Sequence, residues 1–177
     1  NTLVIFVNDN GGATNNASNN GIYRGMKGSK WEGGIRIPYA IRWPARLPAG
    51  GRFDHPVSTL DIIPTAVSAA GGDIRFQDAV DGVDLQPYLA GEDAGSPHDR
   101  LFWRRSVASA MREGDWKLIE TFDPKGVELY HLGRDLSETT NLAQKEPSKL
   151  AELRKELAAW RKEVDAESME PNPEHRP

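Results

Sequence analysis

The 177 residues contain no cysteine, so neither a disulfide framework nor a thiolate metal site is available, and the redox compartment stays undetermined. No apolar run approaches the ~20 residues that a membrane-spanning helix requires. There is no basic excess either. Lys and Arg number 22 against 26 Asp and Glu, a net charge of −4, which gives no reason to expect nucleic acid or an anionic membrane as partner. No signal peptide is visible. The spacing G-x-x-x-x-G-K-[ST] is absent, which excludes a P-loop, and so are the alternating acids of an EF-hand loop. Apolar residues make up 38% and mean hydropathy is −0.59, predicting a soluble chain with a modest core. Its length suits one ordinary domain, or a core segment plus a small domain.

What is present concentrates between Leu3 and Pro38. Leu3-Val4-Ile5-Phe6-Val7 is a continuous apolar run of β-formers, predicting a strand buried on both faces in a parallel sheet covered by helices. It stops at Asn8-Asp9-Asn10-Gly11-Gly12. The carboxyl ends of such strands are where ligands bind. Asp9 and Asn10 there offer adjacent hard oxygen donors, the type that calcium or magnesium takes. Farther on, Arg24, Lys27 and Lys30 stand among Gly21, Gly25, Gly28, Gly33 and Gly34, a composition that suits an anion site and also suits a solvated turn.

These residues carry a resemblance. The strand ending in Asp9-Asn10-Gly11, followed by RGMKGSKWEGGIRIP at 24–38, is similar to the later half of the sulfatase catalytic domain. The likeness continues through IRWPARLPAG, STLDIIPTAVSAAGG, REGDWKLI and ELYHLGRDLSETTNLA, as far as about residue 145. It implies an α/β, alkaline-phosphatase-like parallel-sheet core followed by a small α+β subdomain with an antiparallel sheet and a C-terminal helix. It implies that Asp9 and Asn10 are two ligands of the active-site calcium (magnesium is the lesser alternative). It implies that Lys27 contacts the substrate sulfate, with Arg24 as a further substrate-binding residue. The family often has a small hydroxyl residue where Lys30 stands, so Lys30 is not counted as catalytic. Trp31-Glu32-Gly33-Gly34 resembles the family's loop-positioning turn.

Sulfatases carry a C/S-x-P-x-R motif whose Cys or Ser becomes formylglycine, and neither form occurs in this sequence. The resemblance therefore implies the C-terminal portion of a longer enzyme, inactive alone, with the missing N-terminal part as its first partner. It further implies a sulfate-ester substrate such as a sulfated carbohydrate, and a periplasmic, secreted or lysosomal location. An oligomer stays open. So do two other functions: a phosphate or phosphonate ester hydrolase of the same superfamily, and a non-catalytic module binding sulfated glycan through Arg24, Lys27 and Lys30.

The remaining chain divides at 1–98, 99–167 and 168–177. Ile35 to Trp43 reads as a strand edged by Pro38. Ser58 to Ala70 reads as a helix capped by Ser58 or Asp61 and ended by Gly71-Gly72, with Leu60, Ile63, Val67 and Ala70 as its core-facing stripe. Residues 73–98 read as a connecting segment in which Asp78, Asp81 and Asp84 are solvated acids. Leu101–Arg104, Ser106–Arg112, Trp116–Thr121 and Glu128–Leu132 predict an antiparallel sheet, with Trp103 and Trp116 in its core. Leu150, Leu153, Leu157, Trp160 and Val164 predict a final amphipathic helix packed across it. His55 and His175 read as inert, and the proline-rich end from Met169 reads as a disordered tail.

Overall fold

The computed structural model describes residues 1–73, 80–105, 107–122 and 124–166. Along the chain come β1 (Val4–Val7), α1 (Glu32–Ile35), β2 (Tyr39–Arg42), a 3₁₀ turn (Thr59–Asp61), α2 (Ile62–Ala69), α3 (Gln86–Ala90), β3 (Arg100–Arg105), β4 (Ala108–Glu113), β5 (Trp116–Phe122), β6 (Lys125–His131) and α4 (Pro147–Glu163). They fall into two compact units, one of residues 1–9 and 37–99, the other of 10–36 and 100–177. One change of unit along the chain falls at Asp99/Arg100. Segment 10–36 groups with the antiparallel sheet and not with β1.

In the first unit, β1 pairs antiparallel with β2, Val4 opposite Arg42 and Val7 opposite Tyr39. The expectation was a strand buried on both faces in a parallel sheet; among the described strands the antiparallel β2 is its partner, and Val4 and Phe6 remain 48% and 60% exposed. β2 begins directly after Pro38, which lacks the N–H that a ladder needs.

The helix of this unit starts as predicted. The Ser58 side chain accepts from Leu60 N, and Asp61 returns a bond to Ser58 N at 2.7 Å, a reciprocal cap. Its buried face is a correction. Leu60 and Ile63 are 54% and 60% exposed, and the buried positions are Asp61, Pro64 and Thr65. The cause is the chain from Val83 to His98. Val83 N donates to Asp61 Oδ1 at 3.0 Å, Leu85 N donates to Thr65 Oγ1 at 3.0 Å, and His98 Nε2 lies 2.8 Å from Asp61 Oδ1. Buried backbone donors demand acceptors, so polar side chains win that face over the aliphatic stripe.

In the second unit β3 to β6 form a meander of antiparallel pairs in the order β3-β4-β5-β6. Alternation sends Met111, Leu118 and Leu129 to one face, where they pack on Leu153 and Leu157 of α4. Phe102 stacks on Trp160 there, centroids 4.9 Å apart. Ala110, Ile119, Tyr130 and Leu132 point to the other face and meet Trp31, Trp103 and Leu136. Trp103 and Trp116 are thus packing residues, as expected. Val164 ends the final helix as its cap, 51% exposed, so the seam is one residue shorter than the pattern suggested. His175 and the expected tail 168–177 lie outside the described residues.

Candidate functional site: a glycine-framed cation loop

Residues 10–36 form a folded loop in the second unit, closed by backbone bonds. Gly11 N donates to Gly34 O at 3.1 Å, Lys27 N to Gly12 O at 2.8 Å, and Gly33 N to Arg24 O at 2.7 Å. The glycines are required by contact. A Cβ on Gly11 would fall 1.8 Å from Gly33 O, and one on Gly33 would fall 2.3 Å from Gly25 O. Asn20 is the hub: its Oδ1 accepts from Gly12 N at 2.9 Å, while its Nδ2 donates to Gly25 O and Gly33 O, each at 2.8 Å. In the sequence Asn20 is one of several asparagines in a polar stretch, and no local signal singles it out.

Two attachments hold this loop to the sheet. Arg24 Nη1 donates to Tyr130 Oη at 2.8 Å and to Glu138 O at 3.0 Å, and lies 3.3 Å from Glu128 Oε2. Its guanidinium also covers Trp31, 4.0 Å from the ring centroid. Burial, then the hydrogen bond and charge of Glu128, pushes the Tyr130 phenol far up, so it stays a neutral donor to that carboxylate. Below, Lys117 of β5 lies 2.8 Å from both Glu32 Oε1 and Glu138 Oε1, and Glu138 Oε2 accepts from Glu32 N at 2.6 Å. All three side chains are buried. The WEGG turn is therefore a one-turn helix, α1, pinned at its first residue. This triad was not read from the sequence, because its members lie 85 and 106 positions apart.

Lys27 is exposed in the lining of a cavity of about 480 Å³, and its side chain has no hydrogen-bond or ion-pair partner among the described residues. Lys30 and Arg105 line the same cavity, whereas Arg24 is engaged with Glu128 and Tyr130. Lys30 is only 7% exposed. Burial, and secondly the charge of Arg105, lowers its pKa from the ordinary lysine range.

Asp9 is exposed at the end of one unit, and Asn10, half-buried, opens the other. Their carboxylate and amide oxygens suit a hard cation in chemistry. Calcium takes six to eight oxygens, so two residues are part of a ligand set only. Among the described residues no three of His, Cys, Asp and Glu are grouped to hold a metal. Asp84 Oδ1 accepts from Gln86 N at 2.9 Å at the start of α3, Asp81 is exposed, and Asp78 lies outside the described residues.

The family described as Sulfatase matches residues 1–72. The human steryl-sulfatase is 40% identical over 109 residues, 57% of this chain and 19% of that protein. A sulfatase of Formosa agariphila is 31% identical over 183 residues, 90% of this chain and 33% of its own length. The chain belongs to the sulfatase family. Among solved structures, Ps i-CgsB in complex with k-i-k-neocarrahexaose superposes with a TM-score of 0.78 at 31% identity, covering 90% of this chain and 36% of that one. The sulfatase α/β, alkaline-phosphatase-like fold is thereby shared. The chain spans about a third or less of these relatives.

Proposed function

We propose that these residues are the cation-bearing part of a sulfate-ester hydrolase. The observation that carries the reading is Lys27. Its side chain stands unpaired on a loop held by Asn20 and three backbone hydrogen bonds, in the lining of a cavity whose other cations are Lys30 and Arg105. A preorganised cation of this kind binds the sulfate and neutralises the charge that grows on the leaving oxygen as the S–O bond breaks. Fixing the loop beforehand removes that reorganisation from the reaction itself.

Asp9 and Asn10 are the residues that would hold calcium, with further ligands from elsewhere in the polypeptide. When bound, such an ion supplies Lewis-acid polarisation of a sulfate oxygen and of the nucleophile. The nucleophile of the family, formylglycine, has no precursor motif in these residues. The role of Arg24 follows from its three partners: it positions the loop under Lys27. Ps i-CgsB is named with an oligosaccharide, which supports a sulfated carbohydrate as the substrate class.

The test is mass spectrometry of the complete native polypeptide, combined with turnover assays. A peptide with C-x-P-x-R or S-x-P-x-R carrying the formylglycine mass change, and faster hydrolysis of an aryl sulfate than of an aryl phosphate, are expected. An unmodified polypeptide that prefers the phosphate would replace this reading with the phosphoester one.

A further inference from the structure

Lys30 poses a physical problem in the described structure. Its side chain is 7% exposed, yet it has neither an ion pair nor a hydrogen bond among the described residues. Buried ammonium groups are ordinarily paired. The charge that acts on it is a like one, Arg105, at the end of β3. Arg105 comes in over Gly28, where a Cβ would lie 2.2 Å from Nη1, so the absence of a side chain at Gly28 is what admits the guanidinium. Glu128 is the one carboxylate lining the cavity among the described residues, and it is already engaged by Arg24, Trp31 Nε1 and Tyr130.

We propose that Lys30 and Arg105 form a second anion subsite beside Lys27, which selects saccharides carrying more than one sulfo group. The proposal rests on the sulfate-ester reading of Lys27 and adds the substrate class. A little-exposed lysine held beside the exposed like charge of Arg105 is unfavourable while the cavity holds only water, and an anionic group between the two offsets the repulsion. Burial and Arg105 already weaken the hold of Lys30 on its proton, and an anion reverses that. Arg105 matches a sulfo group with two parallel N–H donors, and Lys30 adds a point charge. The volume, about 480 Å³, lies within the range of ligand pockets. Trp31 and Ile119 supply apolar wall against which a sugar ring can lie.

The experiment uses the complete polypeptide and two probes, 4-nitrophenyl sulfate and a disulfated disaccharide. Lys30→Gln and Arg105→Gln are each expected to lower the preference for the disaccharide, as a ratio of kcat/KM values, by about tenfold, mostly through KM. Lys30→Arg is expected to restore most of it, which a purely structural lysine would not do. An unchanged ratio, or no recovery with Lys30→Arg, would overturn the subsite. If wild-type protein hydrolyses neither probe, the sulfatase reading fails first, and calorimetric binding of the disaccharide decides the subsite by itself. Binding weakened about tenfold in both Gln variants supports it, and equal binding overturns it.

Discussion

Lys117 Nζ, fully buried on β5, donates to Glu32 Oε1 at 2.8 Å and thereby ties the central sheet to the first residue of α1. Glu138, held at φ +53°, supplies the second carboxylate to the same ammonium. Burial raises the Glu138 pKa and the Lys117 charge opposes it. Lys117→Met removes the cation shared by two buried acids and leaves Glu32 only its 3.3 Å pair with Arg36. Breaking a buried pair in this way costs about 3–5 kcal/mol. Urea denaturation is expected to show that loss, with Glu138→Gln milder, because its amide oxygen still accepts from Glu32 N. A Lys117→Met protein as stable as wild type would contradict the triad's role.

Asp61 does comparable work in the first unit, where it is 0% exposed and accepts from Ser58 N and Val83 N. Asp61→Ala strands both donors, at about 1–3 kcal/mol each. Asp61→Asn keeps an acceptor and is expected to lose less. Thermal unfolding of the two variants separates these outcomes, and equal melting temperatures would speak against the assignment.

Acid sensitivity is expected at Glu113. Hydrogen bonds from Lys149 and then Arg100 hold its pKa below the ordinary 4.5. A depressed carboxylate contributes stability that is present above that ordinary value and is lost as pH falls through the lower, folded one. The groups are partly exposed, so the contribution is below about 1 kcal/mol. Stability measured at pH 6 and pH 3 is expected to fall more in wild type than in Glu113→Gln. Parallel losses in the two proteins would remove Glu113 from the account.

Asp9→Ala in the complete polypeptide is expected to weaken calcium binding at least tenfold by calorimetry, since a carboxylate ligand is lost from a hard-cation site. Unaltered affinity would place the ion on other residues.

Much of this was legible in the sequence wherever a period or a cap carries the information. The spacing of Leu150, Leu153, Leu157 and Trp160 reports α4, and the short apolar strands between turn residues report β3 to β6. The Ser58/Asp61 cap was legible for the same reason. What failed was long-range. The Leu60/Ile63 stripe has helical period, but which face is buried depended on backbone donors 20 and 22 residues from their acceptors, at Leu85 and Val83. β1 is apolar throughout, and composition alone could not say that its partner would be the antiparallel β2. At the site, Arg24, Lys27 and Lys30 read as three equivalent cations. Their difference comes from the second unit's sheet, which engages Arg24 through Tyr130 and Glu128 and sets Arg105 beside Lys30. Asn20 and the Glu32–Lys117–Glu138 triad left no local trace.

The most direct measurement is turnover of 4-nitrophenyl sulfate by the complete polypeptide bearing Lys27→Ala, with circular dichroism to verify the fold. The exposed Lys27 side chain makes no hydrogen bond or ion pair among the described residues, so folding is expected to be unchanged. Loss of a preorganised charge aimed at the reacting group lowers kcat by about a hundredfold or more. A folded Lys27→Ala protein that turns over at the wild-type rate would contradict the account.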